Sequence, residues 1–141
     1  MVAKAGEQTG LSAEERIALV RGLYESTIDH DLATQVYADD LIWHAPRGRG
    51  KLMGDHFGAD YIIQAFSDVL SISSDFSSEI GEVLASDGDE FVLSFNRDFG
   101  TRDSDGEKFS FDVAIRWRII DGKIAEMWEY IKDEAHKGEF F

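Results

Sequence analysis

The sequence predicts an α+β domain in which helices come first and a long antiparallel sheet follows. Three observations predict it. Apolar residues recur at helical spacing only in the first half of the chain. Three Asp-Gly pairs, Asp87-Gly88, Asp105-Gly106 and Asp121-Gly122, each separate two strand-like runs. Between the last two pairs, Phe109, Phe111, Val113, Ile115, Trp117 and Ile119 alternate with a second, more polar set.

The first helix is expected at about 12–29. Ser12 and Glu15 form a capping box, a hydroxyl N-cap with a glutamate three residues on. Ile17, Val20, Tyr24 and Ile28 then fall on one face, broadened by Leu19 and Leu23. Asp31 can cap a second, shorter helix through Tyr37. Leu41 to His44 reads as a short strand stopped by Pro46, and 47–58 as a loop or minimal hairpin. A third helix is expected at 59–70, with Ile62, Phe66, Val69 and Leu70 as its apolar face. Asp-Gly supplies the positive φ values of tight hairpins, so four strands follow as a meander at about 76–86, 90–102, 107–120 and 123–132. These strands are about twice the usual ~5–6 residues and are expected to curve.

Composition narrows the function. The chain has 141 residues, enough for one domain with its own core, and is 43% hydrophobic. It has no cysteine, which removes disulfides, thiolate nucleophiles and zinc–thiolate sites. The net charge is −14, from 28 acidic and 14 basic residues. Such a field argues against nucleic acid and anionic membranes as partners. No apolar run approaches the ~20 residues of a membrane span. Met1 to Gly10 lacks the apolar centre of a secretion signal, so a cytoplasmic location is expected. Residues 1–11 are read as a flexible leader and 12–134 as the domain. The tail, 135–141, ends in Phe140 and Phe141 and suits a lid.

The order of elements resembles the nuclear-transport-factor-2-like fold, and the residues agree. Tyr37 to Pro46 (YADDLIWHAP) is similar to a strand-and-proline segment of that superfamily. Gly54 to Gly58 resembles its glycine-bounded link, and DGKI at 121–124 followed by Trp128-Glu129-Tyr130 resembles its ending. The likeness is greatest to the SnoaL-like and ketosteroid-isomerase-like branch. It implies a cone-shaped α+β barrel, three N-terminal helices on a curved, mainly antiparallel sheet that encloses a small-molecule pocket. It also implies a homodimer through the convex sheet face, where Asp112, Arg116 and Arg118 fall. Fold alone does not fix function, because this one hosts isomerases, dehydratases, cyclases, hydrolases and non-catalytic binders.

The family's catalytic positions transfer only in part. The three roles of ketosteroid isomerases fall on Ala45, Ile115 and Leu23, which cannot perform them. Of the acid–arginine–acid arrangement in limonene-type epoxide hydrolases, both acids have counterparts, Asp98 and Glu129. The arginine position holds Asn96, and the water-positioning residues are replaced by Trp43 and Ala45. An acid pair in an apolar cleft still suits proton transfer, because two carboxylates there cannot both ionise cheaply. Asp98 and Glu129 are therefore the candidate acid–base pair and Asn96 a polar anchor. The alternative is structural carboxylates satisfied by Arg97 or Arg116.

His44 is a third catalytic candidate, since histidine exchanges protons near neutral pH. Strand alternation points Trp43 inward and His44 outward, although Pro46 can disturb that parity. His56 lies in the loop within reach of a pocket mouth. Trp43, Tyr24, Phe66, Phe111, Val113, Ile115, Trp117 and Met127 are the expected pocket wall, and an ordinary core is the plainer reading of each. No metal-ligand spacing occurs, and neither metal nor cofactor is expected. The expected activity is cofactor-free acid–base chemistry on a small, largely apolar organic ligand, whether isomerisation, cyclisation, dehydration or hydrolysis. A non-catalytic binding or interaction module is the competitor.

Overall fold

The computed structural model describes residues 10–25, 35–48 and 50–132. Helix α1 spans Ala13–Glu25, strand β1 Tyr37–His44, strand β2 Asp55–Phe57 and helix α2 Ala59–Ile72. Strands β3 (Ser77–Leu84), β4 (Phe91–Thr101), β5 (Lys108–Ile120) and β6 (Lys123–Ile131) complete the order. One six-stranded mixed sheet results, ordered β2-β1-β6-β5-β4-β3, in which only the β1–β6 pair is parallel.

Two full helices, not three, are present among the described residues, and of the expected short helix Gln35 and Val36 are helical. Positions 31–34 of that helix lie outside the described residues. Its last residue, Tyr37, instead begins β1, four residues before the expected strand. Ala38-Asp39-Asp40 is a poor strand sequence. Pairing of Tyr37 with Ile124 overrides that preference, and a register irregularity before Ile42 accommodates the exposed aspartates. The expected end of the first helix, 26–29, and nearly all of the expected leader and tail also fall outside the described residues.

The local signals act as their chemistry dictates. The Ser12 amide donates to Glu15 at 2.9 Å, and the Glu15 amide donates to Ser12 Oγ at 3.1 Å, closing both halves of the capping box. Of the three Asp-Gly pairs, Asp121-Gly122 takes positive φ at both residues, 51° and 76°, as a two-residue hairpin requires, whereas at the other two only Gly88 and Gly106 do and longer loops join the strands. The loop after Pro46 closes as a small hairpin, with the Ala45 amide bonded to Gly54 O and the Gly54 amide to Pro46 O. Gly58, at φ 94°, turns the chain from β2 into α2.

Strand β5 carries the core. Phe109, Phe111, Val113, Ile115, Trp117 and Ile119 are all buried, while their alternates are exposed or half-buried. Helix α1 packs on β3 and β4, and α2 packs on β1 and β2. The helices thus cover the two ends of the sheet's inner face and leave its middle between them. Arg16 fixes α1 to the sheet. It is 2% exposed, donates to the carbonyls of Ser86 and Phe91 at 2.7 Å each, and pairs with Asp89 at 3.1 Å. One buried guanidinium thereby orders the first Asp-Gly turn.

The outer face is less polar than β5 alone suggests. Leu93, Phe95 and Phe99 of β4 and Tyr130 of β6 are exposed there, 37% to 57%. A groove of about 680 Å³ runs over Gly81, Phe95, Ala114 and Tyr130. None of the described helices is long and apolar enough to cross a membrane.

Candidate functional site

Between α1 and α2 lies a cavity of about 130 Å³. Helix α1 contributes Leu23 and Tyr24, α2 contributes Ile63 and Phe66, and β1 contributes Tyr37 and Trp43. Phe76, Ser78 of β3, Asn96 and Asp98 of β4, Ile115 and Trp117 of β5, and Met127 and Glu129 of β6 complete it. Register explains the grouping. Trp43, Met127 and Trp117 are successive cross-strand partners, as are Glu129, Ile115 and Ser94. Asp98 sits opposite Ser78 on one side and Phe111 on the other.

Hydrogen bonds link the polar wall into a chain. The Tyr24 hydroxyl donates to Asn96 Oδ1 at 3.0 Å. Asn96 Nδ2 donates to Asp98 Oδ1 at 2.7 Å, and Ser78 Oγ donates to the same oxygen at 2.5 Å. Tyr24 thereby fixes the orientation of the Asn96 amide, and the amide and Ser78 together aim the carboxylate. Asn96 and Glu129 are buried, each 8% exposed, and Asp98 is half-buried.

Burial pushes the Tyr24 pKa up, and the negative charge of Asp98 adds to it. A hydrogen bond with Ser94 opposes the rise, while Glu129 and Tyr37 reinforce it. Burial alone pushes Tyr37 up to about 12. Both phenols therefore keep their protons across the physiological range.

Rings form the remaining wall. Trp43 stacks on Phe66 at 5.4 Å, and Tyr24 meets Trp117 edge-on at 6.4 Å. Trp117 is anchored by its Nε1, which donates to the buried Ser94 hydroxyl at 2.7 Å.

Of the expected site residues, the cavity gathers Asp98, Glu129, Asn96, Tyr24, Trp43, Phe66, Ile115, Trp117 and Met127. Phe111 and Val113 are core residues outside its lining. His44 lies on the opposite face of the sheet. Its Nδ1 is 3.0 Å from Asp55 and its Nε2 is 2.6 Å from Glu126, while its ring stacks on Trp128. Burial lowers the His44 pKa, but the hydrogen bonds and charges of Glu126 and Asp55 outweigh it and the net direction is up. His56 is buried rather than at a pocket mouth, sandwiched between Trp43 and Tyr61.

Arg97 and Arg116, the expected alternative partners of the acids, face outward. Arg97 pairs with Asp112 at 3.4 Å, and Arg116 lies over the rings of Phe91 and Trp128. Sequence reasoning missed Leu23, Tyr37, Ile63, Phe76 and Ser78 as lining residues. Leu23 had a usable signal in its place beside Tyr24 on the helix face. Ser78 gave none without the β3–β4 register.

Among the described residues, helices α1 and α2 on a six-stranded mixed sheet, with a cavity between them, define an α+β domain of the nuclear-transport-factor-2-like superfamily. Within it, the chain belongs to the SnoaL-like domain family, whose model matches residues 20–127. Solved structures agree on the fold. Bal32a, from a soil-derived mobile gene cassette, is 25% identical with a TM-score of 0.82, over 91% of this chain and 97% of its own. A Xanthomonas campestris protein of unknown function with a cystatin-like fold is 23% identical, with a TM-score of 0.76 over 88% and 95%. IdmH of Streptomyces antibioticus, for which polyketide cyclase activity has been suggested, is 16% identical, with a TM-score of 0.70 over 88% and 97%. No curated protein matches the chain.

The tyrosine shifts give a direct test. The native fold keeps protons on Tyr24 and Tyr37 that the unfolded chain releases above the ordinary value of 10.0. Stability therefore falls as pH rises through that value. An ultraviolet titration is expected to detect tyrosinate from these two residues only as the far-ultraviolet signal of the fold is lost. Ionisation of either near the ordinary value of 10.0 in the intact fold contradicts the assignment.

Proposed function

We propose that the protein is a cofactor-free enzyme that transfers protons on a small, largely apolar organic molecule held between α1 and α2. The observation that carries this reading is that Asp98 and Glu129 line one aromatic cavity. One carboxylate takes a proton from the substrate while the other returns one to a developing oxygen or carbon centre. Asn96, with its amide oriented by Tyr24, holds a substrate oxygen or aims Asp98. Trp43, Phe66 and Trp117 exclude water and hold the apolar body. Isomerisation, cyclisation, dehydration and hydrolysis all fit this proton inventory. The suggested cyclase activity of IdmH supports a reaction of that group.

The test is turnover of a panel of compact cyclic ketones, epoxides and alcohols, followed by proton NMR. Asp98→Asn and Glu129→Gln are each expected to lower turnover about 100-fold or more. Their melting temperatures are expected to stay near that of the parent. Turnover within a few-fold of the parent in both variants contradicts the acid pair. Binding without turnover favours a non-catalytic carrier with the same cavity.

A second reading concerns the outer face, where Leu93, Phe95, Phe99 and Tyr130 are exposed beside a groove. These residues support a homodimer through that face. Sedimentation velocity is expected to report a dimer that Phe95→Asp splits into folded monomers. A parent protein that sediments as a monomer at high concentration removes this reading.

A further inference from the structure

We propose that His44 is a pH-sensitive clasp and a positioning residue for the cavity wall: as an imidazolium it ties β2 to β6 on the outer face of the sheet and so keeps Trp43 in place on the inner face. The clasp acts on the wall and is independent of what the acids inside the cavity do.

Ring chemistry is the first ground. Nδ1 of His44 is 3.0 Å from Asp55 Oδ1, and Nε2 is 2.6 Å from Glu126 Oε2. A neutral imidazole carries one N–H and can donate to only one of these carboxylates. Its other nitrogen would turn a lone pair toward the second. The imidazolium donates to both, and such charge-assisted bonds are short. The Trp128 ring, stacked on His44 at 5.5 Å, favours the same charged form.

The charges around the ring come from three strands. Asp55 of β2 and Glu126 of β6 favour the cation. Arg118 of β5, 3.8 Å from Glu126 Oε1, opposes it, although its Nε pairs with Glu90 at 3.3 Å. Arg116 of β5 opposes it from beside Trp128, 5.0 Å from the centre of that ring. Ile42, two residues back on β1, is uncharged. Helix α2, with Asp60 and Asp68, packs on the inner side of β1 and β2, across the sheet from the ring. Burial disfavours the charged ring, the hydrogen bonds to Glu126 and Asp55 outweigh it, and the pKa stands above the ordinary 6.5.

Position is the second ground. Strand β2 has three residues, lies at the edge of the sheet and pairs only with β1. Its register sets His44 against Asp55 and Trp43 against His56, on opposite faces of the sheet. On the inner face Tyr61, His56, Trp43 and Phe66 form a run of neighbouring rings, with centres 5.5, 4.7 and 5.4 Å apart. Trp43 and Phe66 line the cavity. Tyr61 and Phe66 belong to α2, which β2 enters through Gly58. A tie on Asp55 therefore bears on the ring that backs Trp43, one residue away.

Because the folded value of His44 lies above 6.5, the clasp is fully present below 6.5 and is lost as pH rises through the raised value. Long-range proton–nitrogen NMR of the full chain reads the protonation of the ring, and its midpoint is expected above 6.5. Hydrogen exchange at the Ala45, Gly54 and Gly58 amides, bonded to the carbonyls of Gly54, Pro46 and Leu41, reads the hold on β2. Their protection, corrected for the pH dependence of exchange itself, is expected to fall about threefold or more through that midpoint, while amides between β4 and β5 keep theirs. The indole signal of Trp43 is expected to move with the same midpoint. Asp55→Asn is expected to lower the midpoint of all three readouts together, and His44→Gln to remove the pH step. A His44 midpoint at or below 6.5, or protection that does not change through it, overturns the clasp. A pH step that survives in His44→Gln, or that does not follow the ring in Asp55→Asn, overturns the assignment to His44. An unmoved Trp43 signal overturns the link to the wall. If His44→Gln does not fold, the comparison of the parent with Asp55→Asn decides.

Discussion

Strand β5 has to hold one register over thirteen residues. It pairs with β4 along nearly its whole length and with β6 along most of it. A slip of one residue would turn Phe109 through Ile119 outward and bury Asp112, Arg116 and Arg118 in their place. Because β4 and β6 take their register from β5, the same slip would move Asn96, Asp98 and Glu129 off the inner face. The position of the acids is therefore a consequence of hydrophobic alternation on a neighbouring strand. The turns reinforce it: the positive φ of Asp121 and Gly122 sets the β5–β6 pairing at its start. Arg16 secures the β3–β4 turn from the helix side.

Given that register, the cavity follows from where the helices sit. Helix α1 covers β3 and β4, and α2 covers β1 and β2. Side chains on the inner face thus have two fates. Those beneath a helix or at the sheet's far end become core, like Phe111 and Val113. Those beneath the gap, such as Ile115, Trp117, Met127 and Glu129, become wall. Polar groups are tolerated there because they satisfy one another, as in the run from Tyr24 through Asn96 and Asp98 to Ser78.

Much of this was legible in the sequence because it is written in local chemistry. The capping box, the Asp-Gly turns and the two-residue period each act within a few positions, and each fixed an element. Alternation also placed Trp43 inward and His44 outward, although Pro46 follows closely. The rest depended on contacts distant in sequence. Tyr37 lies in a strand because Ile124 is beside it, against the preference of Ala38-Asp39-Asp40. Phe111 and Trp117 look alike in sequence, and only the placement of the helices separates core from wall. Ser78 became visible as a partner of Asp98 only through the β3–β4 register. The apolar residues of the outer face lie on β4 and β6, so the polar alternates of β5 gave no warning of them.

The central claim is that an open cavity, lined by both helices and the middle strands, exists in the folded protein. Xenon enters apolar cavities of this size without needing a particular chemistry. Methyl NMR of the protein under xenon pressure therefore tests the claim without assuming any ligand. Saturable shifts are predicted at Leu23, Ile63, Ile115 and Met127, with Val20 and Ile119 little changed. Shifts confined to methyl groups of the outer groove, or none at all, would mean that the space between α1 and α2 is filled, and would contradict the account.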